Sequence, residues 1–315
     1  MSHAFRIGAD ENGLGAQLGP LVVTAVLAEI SSASADKLWK RLPKRVKNDL
    51  NDSKRLVSHG NIELAEAWVR ALVGPSAQNP AALFQALTLE TLADLQSPCP
   101  SAAKEQCWRD GHEEFTAPSE MVERASGHLS WLAAQGLRVT AVKTSITCTK
   151  LLNSAKVDGG NRFVSDLHSM ERLVIALQEL AGAPVRAVCG KVGGIADYSR
   201  FFGPLSYRLH AVMKLEKRHS AYQFPGLGEL HFMQDADASD PLVMLASLVG
   251  KYVRELLMAR IAAHYALKNA ENEPFMVSGY NDPRTARFIT LTAPLRKKTG
   301  IPHTCFKRKA VGTRR

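Results

Sequence analysis

The first thirty residues limit the possible fold more than any other part of the chain. Residues 4–9 alternate weakly between apolar and polar side chains and lead into Asp10-Glu11, which the glycine-rich stretch 13–20 follows. The next segment, 21–27, is mostly apolar and rich in β-branched side chains, as expected for a buried strand. The chain is therefore predicted to open as a hairpin of strand, tight glycine turn and strand, with two adjacent carboxylates at its mouth.

Strand and helix patterns alternate along the rest of the chain. Residues 163–181 have the spacing of an amphipathic helix, and the short apolar segment 184–189 after it is predicted to be a strand. Residues 229–237 are predicted to form another strand. Residues 240–267 are predicted to form a long helix, because an aspartate followed by proline is typical of a helix start. This alternation indicates an α/β fold, with a mixed central sheet flanked by helices.

We expect residues 1–315 to form a single domain with one elaboration. Residues 75–135 contain five prolines between short amphipathic pieces, which predicts a peripheral helical insertion of short helices and loops. The C-terminal segment 279–315 is basic and is expected to help shape a substrate groove.

The composition indicates which kind of binding partner and which cellular compartment to expect. The formal net charge of +10 and the pI of about 9.4 favour a polyanionic partner, nucleic acid first, although a soluble protein that happens to be basic is an alternative. Five dispersed cysteines without CxxC spacing argue against a disulfide framework or zinc ribbon and favour a reducing cytoplasm. No apolar run reaches the roughly 18 residues of a membrane helix, and the N-terminus has no secretory signal.

A series of segments, taken in order, resembles the ribonuclease HII family of RNase H-like nucleases. The similarity runs nearly end to end, except for residues 75–135 and an expansion at 195–230. The chain is therefore identified as a divergent member, for which the resemblance implies an RNase H-like fold. The segments that carry it are, in chain order, 8–15, Gly19-Pro20, Asp52-Ser53-Lys54, Asp237 with 246–251, Arg254, Gly279-Tyr280, Thr285 and 301–306.

The resemblance implies an activity and a site. The family cleaves RNA within RNA–DNA hybrids, or at single ribonucleotides in DNA, with a divalent metal and four acids. It implies that Asp10, Glu11 and Asp237 are catalytic residues that bind Mg²⁺ or Mn²⁺. No obligate protein partner is evident from the sequence. The residues implied to contact nucleic acid are Gly13, Gly15, Lys54, Lys251 and Tyr280. For the tyrosine, simple core packing is an almost equal alternative.

The sequence departs from the family pattern at two places. The third aspartate of the family ends the strand after the amphipathic helix, where this chain has Gly190 or, with a slip of one residue, Cys189. Neither side chain offers a hard oxygen ligand, and Lys191 adds a positive charge where a metal site needs negative charge. In the glycine stretch, Leu14 stands in place of the arginine of the family.

Another acid is needed to complete the cluster. Asp235 lies two residues before Asp237, so in a strand both side chains would point to the same face. Asp197 lies in the loop after the altered strand. Our hypothesis from the sequence is that one of these two acids restores the cluster.

Three functions are compatible with the sequence. The first is the metal-dependent endonuclease that the resemblance implies. The second is a catalytically impaired homologue that binds nucleic acid duplexes as a non-enzymatic module, which Gly190 and Lys191 favour. Basic charge suits both, because both need phosphate contacts. The third, an unrelated α/β enzyme with Asp10 as nucleophile for phosphate chemistry, lacks a supporting P-loop spacing.

Overall fold

A seven-stranded mixed sheet forms the centre of the computed structural model, which describes residues 4–31, 36–109, 113–157, 161–192, 194–267 and 275–309. Its strands, in chain order, are β1 Phe5–Asn12, β2 Leu21–Ile30, β3 Leu137–Thr147, β4 Val185–Gly190, β5 Ala211–Leu215, β6 His219–Phe224 and β7 Gly228–Met233. Across the sheet they lie in the order β3-β2-β1-β4-β7-β6-β5. The predicted mixed sheet flanked by helices is confirmed.

The pairing of the strands brings three strand ends together. The antiparallel pair of β1 and β2 confirms the predicted opening hairpin. Strand β1 also pairs in parallel with β4, and β4 pairs in parallel with β7. The carboxyl ends of these three strands therefore meet at one edge of the sheet, where Asp10-Glu11, Gly190 and the chain after Met233 lie side by side.

Helices cover both faces of the sheet. The predicted helices at 163–181 and 240–267 are confirmed as α10, Arg162–Ala181, and α11, Pro241–Tyr265. In the described ranges, no helix combines the length and the apolarity that crossing a bilayer requires. The helices are α1 Asp36–Lys40, α2 Lys44–Lys47, α3 Ser53–Leu56, α4 Glu63–Val73, α5 Pro80–Leu87, α6 Leu92–Gln96, α7 Ser101–Cys107, α8 Ser119–Ala134, α9 Thr149–Val157, α10 Arg162–Ala181, α11 Pro241–Tyr265, α12 Pro283–Leu291, α13 Ala293–Thr299 and α14 His303–Phe306.

The side chains of β2 show how the two faces are built. Val22 and Val26 pack in the core that includes α11, whereas Val23 and Ala25 pack in the core that includes α10. This alternation follows from the two-residue period of a strand. On β1, Gly8 lies so close to α11 that a Cβ atom there would stand 2.4 Å from backbone atoms in the first turn of the helix. Because of this close approach, α11 runs directly over the acid-bearing end of β1.

The prediction of a strand over 229–237 is correct only for its first part. Strand β7 ends at Met233, and the chain turns at Asp235, whose φ of 57° is left-handed, into a 3₁₀ turn at Ala236–Ala238. The Asp240 side chain then caps α11 by accepting hydrogen bonds from the N–H groups of Leu242 (2.8 Å) and Val243 (3.3 Å). The turn and the cap place this segment beside the end of β1.

Two regions that differ from the family pattern have distinct structures. The expansion at 195–230 contains the antiparallel pair β5 and β6, which extends the sheet beyond β7. The sequence analysis did not predict these strands. Residues 75–135 contain α5 to α8, and their apolar side chains, among them Phe84 and Trp108, pack in the core that α11 and β2 share. The division into one domain with an insertion stays a prediction.

Candidate active site

Asp10 and Glu11 occupy the end of β1 beneath an open cleft of about 580 Å³. Asp10 is buried, with 8% of its surface exposed. Ser247 on α11 lies beside this carboxylate and favours its ionised form, and this serine is itself 2.9 Å from the Ser53 hydroxyl. The aspartate is thus held from the helix side, and its glutamate neighbour projects toward the opposite face, since side chains alternate along a strand.

The surroundings of Asp10 and Glu11 destabilise the ionised forms of both carboxyl groups. Burial raises the pKa of Asp10 well above its usual range, and the adjacent Glu11 carboxylate raises it further. Burial, followed by the charge of Asp166, raises the pKa of Glu11 to about 8. Neighbouring carboxylates in a low-dielectric place repel each other unless a cation offsets them.

Asp166 is a buried acid that the sequence analysis missed. It lies on α10, is fully buried, and neither of its carboxylate oxygens has a hydrogen-bond partner. Burial raises its pKa well above the usual range, and so does the charge of Asp10. The sequence carried a signal for it: the aspartate is four residues before Met170 and seven before Leu173, in the apolar stripe of the helix.

Gly190 ends β4 directly beside the acid pair. A Cβ atom at this position would stand 2.8 Å from Oδ1 of Asp10 and 3.6 Å from Oε2 of Glu11. An acid here would therefore have joined the pair, and this glycine brings no carboxylate to it. Cys189 does not fill the gap, because it is fully buried in the core against α10 and its thiol pKa is raised by burial.

Asp237 and Lys54 face each other across the cleft. The ammonium Nζ lies 3.2 Å from Oδ2 of Asp237 in the 3₁₀ turn, and the lysine side chain is 79% exposed. Asp52 caps the short helix α3 by accepting a hydrogen bond of 2.9 Å from the backbone N–H of Lys54. Partial burial lowers the pKa of the lysine, but the charge of Asp237 and its hydrogen bond, together with the charges of Asp52 and Asp10, outweigh burial and raise the pKa.

The two acids proposed from the sequence as substitutes lie apart from the pair. Asp235 also lines the cleft, but the expectation that it shares a strand face with Asp237 is wrong, because β7 ends before it. Its carboxylate is 62% exposed and lies 2.8 Å from Arg218. Asp197 is held by the backbone N–H (3.0 Å) and hydroxyl (2.6 Å) of Ser199. With these contacts, neither Asp235 nor Asp197 adds a third carboxylate beside Asp10 and Glu11.

Two buried arginines, Arg254 and Arg308, hold the glycine stretch 13–20 in place. Gly13 has a left-handed φ of 89°, and a Cβ atom there would stand 2.3 Å from Nε of Arg254. Arg308, which is buried, donates to the carbonyls of Gly13 (2.5 Å) and Gly19 (2.9 Å). A Cβ atom on Gly15 would meet nothing within 4 Å. The loop is therefore anchored from below and open toward the cleft.

The remaining predicted contact residues line the same cleft. Tyr280 is 41% exposed, and the guanidinium of Arg254 stacks 4.6 Å from its ring centre, so the tyrosine is not a core residue. Lys251 donates a 2.5 Å hydrogen bond to the carbonyl of Val57, and burial lowers its pKa. In the part of the chain that the structure describes, no group of three or more His, Cys, Asp or Glu side chains is arranged to hold a metal ion by itself.

The raised pKa of Glu11 predicts a pH dependence of stability. With a chelator present, we expect the melting temperature to fall as pH rises from about 4.5 to about 8. The unfolded chain loses this proton near its ordinary value, whereas the folded protein keeps it until about pH 8, so folding is favoured below that window and disfavoured above it. Glu11→Gln should flatten the curve. A wild-type melting temperature that rises across the window would contradict this assignment.

Comparisons with known proteins give similarities in overall structure alone. No protein-family model matches the chain, and no curated protein matches its sequence. A chain of the PCNA:RNase HII complex from Archaeoglobus fulgidus is similar over 99% of this chain and 96% of that one, with 18% identity and a TM-score of 0.47. The ribonuclease H2 from Pyrococcus horikoshii OT3 is similar over 96% and 92%, with 16% identity and a TM-score of 0.42. The Aquifex aeolicus RNase H3 is similar over 96% and 70%, with 12% identity and a TM-score of 0.43.

Proposed function

We propose that this chain is a metal-dependent endoribonuclease that cleaves RNA in RNA–DNA hybrids or at ribonucleotides embedded in DNA. The observation that carries the proposal is the position of buried Asp10 and half-buried Glu11 at the carboxyl end of β1, under a cleft that basic and aromatic side chains also line. Because this arrangement costs stability in the free protein, it favours a functional explanation over a structural one.

The residues present fit a hydrated divalent cation. Asp10 and Glu11 supply hard oxygen atoms whose repulsion a cation would offset. Mg²⁺ typically uses one or two carboxylates and fills its other positions with water and substrate phosphate, so it does not need three protein ligands. Asp10 and Glu11 would hold the ion, and Asp237 would approach it from across the cleft. When bound, such an ion supplies an activated water and stabilises the leaving oxygen of a phosphodiester.

The walls of the cleft suit a ribose–phosphate backbone. Lys54 and Lys251 contribute positive charge for phosphate contacts. The open loop at Gly13 and Gly15 allows the backbone to approach a 2′-hydroxyl, the group that distinguishes RNA from DNA. Tyr280 presents an aromatic face on which a sugar or base packs. Together these contacts orient a ribonucleotide over the carboxylates.

A substrate panel tests the proposed function. We expect cleavage of an RNA–DNA hybrid and of a DNA duplex with one ribonucleotide in Mg²⁺ or Mn²⁺, and no cleavage of an all-DNA duplex or in the presence of EDTA. Equal cleavage of all-DNA duplex would contradict the role of the 2′-hydroxyl. Failure to cut any substrate in either metal would contradict the activity.

Gly190 supports a second candidate function. Because the end of β4 brings no carboxylate to the pair, the chain would act as a binding module if nothing replaces that acid. This candidate requires binding of the hybrid that weakens with salt, with no cleavage in either metal. The same panel therefore separates the two functions when binding is followed in parallel.

The lysines of the cleft predict a salt effect. We expect Lys54→Ala to weaken hybrid binding about equally across sequences, and to reduce the slope of log K against log salt by about 1, because one phosphate contact is lost. The measurement is fluorescence anisotropy at several salt concentrations. Lys47→Ala, which replaces an exposed lysine on α2 that does not line the cleft, is the matched control. An unchanged slope for Lys54→Ala would exclude it from phosphate binding.

A further inference from the structure

The carboxylate of Asp166 is costly and unexplained by the fold. It is fully buried, and both of its oxygens are without a hydrogen-bond partner. An ionised group in the interior is normally paired or hydrogen bonded, because its desolvation costs several kcal/mol otherwise. A residue that serves only the packing of α10 would be apolar at this position.

A second buried acid on the same helix shows what a structural carboxylate looks like. Glu171 lies five residues further along α10 and is also fully buried. Its oxygens accept hydrogen bonds from the backbone N–H groups of Gly203 (3.1 Å) and Leu205 (2.8 Å). Glu171 thus fixes the loop after β4, whereas the oxygens of Asp166 contact no described donor.

The position of Asp166 connects it to the acid pair. Its charge is the largest electrostatic influence on Glu11 after burial, and Asp10 in turn acts on Asp166. Helix α10 packs against β1 and β4, so the acid approaches the pair from the face opposite α11. At Gly190 the absence of a side chain leaves the end of β4 without an acid of its own.

We propose that Asp166 replaces the carboxylate missing from β4, by accepting hydrogen bonds from water molecules of a divalent cation bound at Asp10 and Glu11. Two unpartnered oxygens are acceptors for such water, and a contact through water needs no third direct protein ligand, in agreement with the arrangement of the described side chains. Partners that hold a metal ion from outside its direct ligands tune its affinity. The inference rests on the proposed function.

The first test measures binding of Mn²⁺ alone by titration calorimetry, without substrate. We expect Asp166→Asn to weaken Mn²⁺ binding about 10–100-fold and Asp10→Asn to abolish it. Glu171→Gln is the matched control on the same helix and should bind Mn²⁺ like the wild type. Wild-type affinity in Asp166→Asn, with binding lost in Asp10→Asn, would overturn the inference and leave the proposed function standing. No binding to the wild-type protein would overturn both.

A second test uses Gly190→Asp. The backbone at this glycine is not left-handed, and its nearest neighbour is the end of a side chain, Oδ1 of Asp10, so an aspartate is accommodated by a small shift. If Asp166 replaces the carboxylate missing from β4, the loss of Mn²⁺ affinity caused by Asp166→Asn should be several-fold smaller in the Gly190→Asp background. An equal loss in both backgrounds would show that the two positions act independently, against the inference.

Melting in EDTA separates a functional from a structural role. Because neither oxygen of Asp166 has a hydrogen-bond partner to lose, Asp166→Asn in the metal-free protein should melt within about 2 °C of the wild type or above it. Glu171→Gln should melt lower, because its hydrogen bonds hold a loop. An Asp166→Asn protein that melts well below the wild type would assign this acid to structure and would also overturn the inference.

Discussion

Replacing Asp10 with asparagine is expected to lower the rate of hybrid cleavage by roughly 10²–10⁴-fold, the range in which positioned catalytic acids and bases contribute. The substitution keeps the shape of the side chain and its contact with Ser247. It removes the charge that, in the proposed site, holds a cation together with Glu11. Single-turnover cleavage of a labelled hybrid, with protein in excess, measures the effect directly.

Binding of the same hybrid should be retained or become tighter in Asp10→Asn, because one negative charge is lost from a cleft that accepts a polyanion. Asp235→Asn is the matched control, since this exposed carboxylate is paired with Arg218, and it should cleave at nearly the wild-type rate. A normal rate in Asp10→Asn would remove the acid pair from the chemistry. A large loss in Asp235→Asn would restore the hypothesis that this residue completes the acid set.

Gly8→Ala is expected to give the largest loss of stability, about 3 kcal/mol in the free energy of unfolding. A Cβ atom at this position would stand 2.4 Å from the carbonyl carbon of Leu242 and 2.4 Å from the backbone nitrogen of Val243. Backbone atoms cannot give way as the end of a side chain does, so α11 must move off β1. That movement would also withdraw Ser247 from Asp10.

Chemical denaturation of Gly8→Ala and the wild type measures this effect. Gly127→Ala is the control with the opposite sign. It lies within α8, and a Cβ atom there would meet nothing within 4 Å, so alanine should stabilise the helix by about 0.5–1 kcal/mol. Equal stabilities of Gly8→Ala and the wild type would mean that α11 does not approach β1 as closely as described.

The acid pair was predictable because local sequence determines its surroundings. An apolar strand that ends in two acids and a glycine turn has few alternative structures, and Asp10-Glu11 lies where that pattern places it. The capped start of α11 was also predictable, since Asp240 and the proline after it act within one turn. These elements depend on contacts between near neighbours in the chain.

Other features depend on contacts that are distant in sequence. Arg308 stands between two lysines in a basic segment, yet it is buried under the glycine stretch almost 300 residues earlier. Strand β5 lies at the edge of the sheet with most of its side chains exposed, and only its pairing with β6 defines it as a strand. Asp166 lies in an apolar stripe, but only the packing of α10 on β1 shows which acids it faces. Arg314 and Arg315 of the basic C-terminal segment lie outside the described residues.

The most direct test of the central claim is a single-turnover experiment on an RNA–DNA hybrid, with binding and cleavage followed in the same sample in Mn²⁺, in Mg²⁺ and in EDTA. If the chain is a metal-dependent endoribonuclease, it should bind the hybrid in all three conditions and cleave it only with a metal. Cleavage should be lost in Asp10→Asn. Binding without cleavage in either metal would contradict this activity and identify the chain as a binding module whose acid set is incomplete at Gly190.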